Sequence, residues 1–262
     1  MSVFDFDSAI VRAPAASVVD GLRAGGEAGP SHEGVLAEHR AYVAALEQAG
    51  LNVQALPPLP LFPDSLFVED PAFVLAEGAI VLRPGAPSRR GEAATLAPIL
   101  KRRFERVLAV ATGSVDGGDI LVLPDEILVG LSARTDRAGA AEFVRLAATL
   151  ARRARIVATP PGVLHLKSAC ALLDEGTVLA TPALAEAGIF GGLAVLTTPP
   201  GEEAGANLLR LGRRVLVGAG FVRTIELVAG RGLEAVPLPV DEIGLIDAGL
   251  SCMSLRWLAG GK

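Results

Sequence analysis

The sequence is short of the residues from which cross-links, metal clusters and nucleic-acid surfaces are made. It has two cysteines, three histidines, one tryptophan and one tyrosine in 262 residues. Cys170 and Cys252 stand far apart, in no CxxC pair and near no histidine at zinc spacing, so both are read as reduced thiols rather than as a disulfide or a metal site. Basic charge is not in excess. With 24 Lys and Arg against 29 Asp and Glu, a net charge of -5, and no Lys/Arg cluster interleaved with aromatics, the chain is not read as a nucleic-acid binder. Long apolar runs are missing too, and the opening MSVFDFDSAI has neither a basic nor an apolar leader region, so no membrane partner and a cytoplasmic location are expected. What the chain does have is 51% hydrophobic residues, enough at this length to bury a substantial core.

Apolar alternation predicts strands at residues 4–11, 51–56, 72–76, 79–83, 106–111, 120–123, 126–130, 155–159, 169–173, 177–180, 194–197, 207–211, 215–217 and 234–237. Helical spacing covers 33–48, with Ser31 as N-cap, and then 92–103, 136–153 and 222–231. A hairpin, a helix and a further strand thus recur about every fifty residues, and the length holds five such units. No unit of this kind buries both faces alone. They are expected to pack around a common centre as one ring-like α/β domain spanning 1–262, with loops converging at one end.

Several residues stand out on chemical grounds. Cys252, in IDAGLSCMSL (246–255), sits on a loop that Gly249 lets turn and that Leu250 and Leu255 anchor, which places a thiol at the rim of a cavity as a candidate nucleophile. A lone cysteine is otherwise most often a small core hydrophobe. In PDSLFVEDPAFVL (63–75), Asp64, Glu69 and Asp70 set three carboxylates around the apolar Leu66, Phe67 and Val68. Acids beside a buried segment are costly unless paired with something cationic. Arg89 and Arg90 lie at a helix entry, the unfavourable end of the helix dipole for a cation, which makes an anion-binding role worth considering. Asp116 and Asp119 flank Gly117-Gly118 in a tight turn and are by default turn formers. His165 is read on a strand that presents it with Lys167 on one face, and the glycine-rich 23–31 is read either as a surface connection or as a mobile lid.

Taken in order, PDSLFVED, RPGAPSRR, DGGDIL, GLSART, LHLKSACALL and GLSCMSL resemble the dimethylargininase (dimethylarginine dimethylaminohydrolase) branch of the guanidino-group-modifying enzymes, over about 11–255. The resemblance implies a five-bladed α/β propeller, the pentein fold, with a site in a central channel. It implies Cys252 as nucleophile, His165 as general acid/base and Asp116 as the accompanying acid. It also implies Leu22, Asp64, Glu69, Asp70, Arg89, Arg134 and Ile246 as substrate contacts, the two arginines meeting the substrate carboxylate, Leu22 in the lid and Ile246 through its backbone. The implied reaction is hydrolysis of methylated arginine to citrulline and an alkylamine, with no metal or cofactor, a small molecule as partner, and a monomer or homodimer as the working form. Two departures from the family pattern are a slightly longer stretch between Asp136 and His165 and Met253 after Cys252.

Two other readings accompany this one. Arginine deiminases of the same superfamily are longer, and they carry an acid two residues after the histidine where this chain has Lys167. Another substituted arginine is also compatible with the motifs. A pentein-fold binding protein without catalysis would have no use for the Cys/His/acid set.

Overall fold

The computed structural model of the chain describes residues 2–25 and 29–259. Its strands form five separate three-stranded sheets. In the first, β1 (Ser8–Arg12) is joined through α1 (His32–Gln48) to a parallel β2 (Asn52–Leu56). The second runs β3 (Ala72–Leu75), β4 (Gly78–Val81), α2 (Arg90–Arg103), β5 (Val107–Ala109), and the third β6 (Ile120–Val122), β7 (Ile127–Leu131), α3 (Arg137–Thr149), β8 (Ala154–Ala158). The fourth follows as β9 (Cys170–Asp174), β10 (Thr177–Ala180), α4 (Pro182–Glu186), β11 (Ala194–Thr197), and the fifth as β12 (Leu209–Leu211), β13 (Arg214–Gly218), α5 (Val222–Gly230), β14 (Glu234–Leu238). The chain then passes α6 (Asp241–Gly244) and ends in β15 (Leu255–Trp257), which lies antiparallel against β1 with Ile10 opposite Leu255.

Every sheet therefore has one plan: an antiparallel hairpin, then a helix that returns the chain to a parallel third strand, as a parallel connection requires. The exception in sequence order is the rule in space. The first sheet takes its leading strand from the far end of the chain, so pairing β15 with β1 closes the ring. The leading strands β3, β6, β9, β12 and β15 all line one cavity of about 310 Å³, the central channel of a five-bladed α/β propeller. The helices bury one stripe outside: Val35, Tyr42 and Leu46 of α1, Leu96 and Leu100 of α2, Phe143, Leu146 and Ala147 of α3.

Local chemistry accounts for the boundaries. Ser31 accepts from the Gly34 amide at 3.0 Å and Asp136 from the Gly139 amide at 2.8 Å, capping α1 and α3. The turn between β12 and β13 uses Gly212 at φ 58°, a conformation other residues resist. The predicted strands and helices are present with ends shifted by a few residues; the first strand starts at Ser8 rather than residue 4. One assignment is corrected. His165 and Lys167 are not on a strand: His165 is a single extended residue before a 3-10 turn at Leu166–Ser168, because Asp119 takes the Leu166 amide away from any sheet partner. The sequence patterns also passed over α4, α6 and β15. Part of the expected lid, residues 26–28, lies outside the described residues.

Candidate active site

The segments just before four of the five leading strands contribute to one end of the channel. Ahead of β3 come Asp64, Phe67 and Asp70; ahead of β6, Asp116; ahead of β9, Leu164 and His165; ahead of β15, Ile246 to Ala248 and Cys252. With Leu22, Arg89 and Arg134 they enclose a cavity of about 40 Å³. Residues scattered over more than two hundred positions thus meet because four of the five equivalent loops converge on the cavity.

Cys252 lies in a turn after Gly249, half-buried, with Leu250 and Met253 packed beneath it. Its Sγ is 3.8 Å from Asn207 Nδ2 and 3.9 Å from Ser251 Oγ. Burial, with the negative charge of Asp70 and Glu69, pushes the thiol up to about 11, against the opposing pull of the Gly249 backbone and Lys167. A thiol so raised holds its proton at neutral pH.

His165 Nε2 is 3.1 Å from Asp116 Oδ2, and both side chains are buried. Burial by itself would lower the imidazole, but Asp70, the hydrogen bond to Asp116 and the charge of Asp119 outweigh it and raise the group to about 9. His165 consequently holds its proton at neutral pH. The second Asp116 oxygen accepts from the Gly85 amide at 2.7 Å, which fixes the carboxylate. The GGD turn is more than a turn former. A Cβ on Gly117 would fall 2.0 Å from the Glu69 carbonyl, and one on Gly118 would fall 2.8 Å from His165 Cγ and 3.1 Å from Asp70 Oδ1, so the glycines let three loops touch. Asp119 stays out of the cavity, as its turn position suggested. It accepts from Ser132 Oγ and Thr135 Oγ1 at 2.6 Å and from the Leu166 amide at 2.9 Å, holding the turn that carries His165.

The expected substrate contacts divide into two groups. Asp64, Asp70, Arg89, Arg134, Leu22 and Ile246 all border the Cys252 cavity. Asp64 accepts from the Leu22 amide at 2.9 Å, and burial raises its carboxyl, with Arg89 pulling the other way. Asp70 is paired with Arg89 and accepts from the Gly118 amide at 3.0 Å; burial would raise its carboxyl, but Arg89 and His165 hold it below the usual value. All three side-chain nitrogens of Arg89 are engaged, to Asp70, to Glu92 at 2.8 and 3.0 Å and to the carbonyls of Asp64 and Phe67. It therefore braces the acids. Arg134, half-buried, makes no ion pair or side-chain hydrogen bond among the described residues, which leaves its guanidinium open to the cavity.

Glu69 is the departure. It faces away from Cys252 into the central channel, paired with Lys167 at 2.6 Å and Arg256 at 3.1 Å. Glu69 and Asp70 lie in a turn that directs Asp70 into the cavity and Glu69 to the channel. Lys167, in the 3-10 turn after His165, and Ser251, in the turn that carries Cys252, also border the channel.

Asp70, Asp116 and His165 are the set of metal-ligating type among the described residues, their donor atoms lying within 4.8 Å of one another. Asp70 is committed to Arg89 and Gly118 and Asp116 to Gly85 and His165, so the arrangement reads better as an acidic cradle for an organic cation. Sequence reasoning missed Asn207, Asp247 and Thr135. Only the conformational oddity of Asp247, φ 55°, marks it locally, and no sequence pattern reports that. Cys170, buried with its thiol pushed upward by burial, stays structural.

A five-bladed α/β propeller that closes a thiol, a His/Asp pair and buried carboxylates at one end of its channel defines the class of guanidino-group-modifying enzymes. Comparison with known proteins agrees. The family model for arginine deiminase matches residues 36–202. The N(G),N(G)-dimethylarginine dimethylaminohydrolase of Pseudomonas aeruginosa is 36% identical over 96% of this chain and 100% of its own, and that of Streptomyces coelicolor is 36% identical over 95% and 96%. Among solved structures, a cysteine-to-serine variant of the Pseudomonas enzyme complexed with citrulline superposes with a TM-score of 0.93 at 35% identity, covering 97% of this chain and 100% of that one. A histidine-to-glycine variant of a dimethylarginine dimethylaminohydrolase, as an adduct with S-methyl-L-thiocitrulline, gives 0.92 at 35% identity over 96% and 99%. The chain belongs to the dimethylarginine dimethylaminohydrolase family.

Proposed function

We propose that the chain hydrolyses N-omega-methylated arginine, monomethyl or asymmetric dimethyl, to citrulline and methylamine or dimethylamine, with Cys252 as nucleophile. The observation that carries this reading is the convergence of a thiol, a protonated His165 on Asp116, the carboxylates of Asp64 and Asp70 and the open Arg134 in one cavity. A guanidinium carbon is a poor electrophile, so the site has to hold the cation, supply a strong nucleophile and protonate a basic leaving group. Asp64, Asp70 and Asp116 offer charge-assisted acceptors to the guanidinium, and Arg134 offers a donor to the α-carboxylate at the other end, which sets the length of substrate brought to the sulfur.

The bound cation favours ionisation of Cys252, whose proton leaves to solvent. The thiolate forms a C–S bond to the guanidinium carbon, His165 gives its proton to the substituted nitrogen, and the C–N bond breaks to release the amine. An S-alkylthiouronium remains on Cys252 and His165 is neutral. His165 then takes a proton from water as the oxygen adds to the same carbon; the C–S bond breaks, the thiolate is restored, and the added hydroxyl loses its proton as the ureido group of citrulline forms. Cys252, His165 and Asp116 are the catalytic set in this reading, with Leu22, Asp64, Asp70, Arg134 and the Ile246 backbone around the substrate and Arg89 bracing the acids. The five blades work as one catalytic domain, as a monomer or homodimer in the cytoplasm. Among the described residues no helix is long and apolar enough to cross a membrane.

The test is citrulline formation from asymmetric dimethylarginine, monomethylarginine and arginine, for the wild type and Cys252→Ser. Turnover of the methylated substrates, lost in the variant, is the expected result. Arginine itself is a second reading, favoured by the description of the matching family model, and turnover of arginine alone would replace the first. Lys167 argues against it, since the position holds a cation that faces the channel.

A further inference from the structure

Four of the five loops that precede a leading strand supply groups to the cavity wall: those before β3, β6, β9 and β15. The fifth, before β12, carries Asn207, which is not part of the wall but reaches the sulfur from behind. The orientation of its amide is fixed by its partners. The Ser251 amide can only donate, and it donates to Asn207 Oδ1 at 3.2 Å, so the amide NH2 is turned toward Cys252 Sγ, 3.8 Å away. The fit is close. A Cβ on Gly249 would fall 2.3 Å from Asn207 Nδ2, so the glycine in the nucleophile loop is what admits the amide.

We propose that Asn207 is a catalytic residue, donating its amide N–H to the Cys252 thiolate while its carbonyl holds the nucleophile loop in register. The inference rests on Cys252 being the nucleophile. A sulfur beside Asp70 and Glu69 gains negative charge only where donors receive it, and beside the Gly249 backbone the side chains directed at it are Asn207 Nδ2 and the Ser251 hydroxyl, 3.9 Å away. The amide supplies that donor without a charge of its own. It therefore favours the thiolate without competing with the substrate cation for the acids.

The test is the pH dependence of iodoacetamide alkylation of Cys252 in the free protein, read by mass spectrometry on the Cys252 peptide, for wild type, Asn207→Ala and Asn207→Asp. Asp64, Asp70, Asp116, Arg134 and His165 in the cavity, and Glu69 and Lys167 behind the wall, are the same in all three proteins, so a displaced profile reports position 207. Losing a hydrogen bond to a charged group is expected to move the midpoint of Asn207→Ala upward by about one to two units, with kcat/KM at neutral pH reduced about ten- to a hundredfold. Asn207→Asp keeps the acceptor for Ser251, removes the donor and adds an anion, and is expected to shift further. A profile overlaying the wild type in either folded variant, or loss of fold in both, would make Asn207 a structural residue and overturn the proposal. Cys252→Ser separates the two levels: if it keeps activity, the nucleophile reading fails, whereas if it loses activity and the position 207 variants alkylate like wild type, only this inference fails.

Discussion

His165 and Cys252 both hold their protons at neutral pH, with midpoints raised to about 9 and about 11, and this has measurable consequences. Iodoacetamide inactivation should be slow at pH 7 and still rising above pH 9, and a saturating guanidinium ligand should shift the thiol midpoint downward. As His165 loses the proton that the leaving amine needs, kcat should fall at alkaline pH. The same raised value bears on stability. The His165/Asp116 pair contributes fully below the ordinary histidine value of 6.5, where folded and unfolded chains both carry the proton, and that contribution fades as pH climbs through about 9; His165→Gln should flatten this part of a stability profile. The two arginines should separate cleanly. Arg89→Met strips partners from buried Asp70 and Glu92 and is expected to cost about 3–5 kcal/mol in denaturant unfolding, whereas Arg134→Met should raise KM at unchanged Tm. Gly118→Ala should lower kcat about a hundredfold or more by displacing His165, while Gly176→Ala, whose added carbon would have 3.7 Å of room, should be silent.

At the scale of elements, the short pieces between strands carry the chemistry. The 3-10 turn Leu166–Ser168 holds His165 because Leu166 is fully buried and its amide is tied to Asp119, and Asp119 is tied in turn to Ser132 and Thr135. Asp119→Ala would leave those three donors without their acceptor, at about 1–3 kcal/mol each. The expected outcome is a lower Tm together with a reduced kcat, although Asp119 never meets substrate. These turns were hard to read from sequence for a physical reason. Strands and helices repeat an apolar period, so the hairpins around β6/β7 and β9/β10 and the helices α1 to α3 were legible; a 3-10 turn fixed by one buried carboxylate in another blade repeats nothing. His165 was accordingly assigned to a strand it does not belong to.

At the scale of the molecule, closure depends on the last strand. β15 supplies Leu255 and Trp257 to the apolar cluster shared with Ile10, Val68 and Phe104, and it completes the sheet of β1. A chain shortened to end at Ser254 would leave β1 unpaired on one side and open the channel, so it is expected to be recovered unfolded or aggregated by circular dichroism and size-exclusion chromatography. A folded, active truncation would show that the ring closes without it. The closed ring also explains the two environments back to back. Asp70, His165 and Cys252 face the site, their near neighbours Glu69, Lys167 and Ser251 face the channel, and the turns that carry each pair make that partition.

The amino-acid sequence by itself determined the five-unit plan, because apolar periodicity is a local property, and its resemblance to a known family singled out Cys252, His165, Asp116, Asp64 and Asp70 as candidate groups, because each lies in a distinct motif. Tertiary structure decided which way those groups point and what they are committed to. It turned Glu69 out of the site, engaged all three nitrogens of Arg89, left Arg134 open, and brought Asn207 to the sulfur. These outcomes follow from contacts between blades far apart in the chain, and such contacts exist only once β15 has closed the ring on β1.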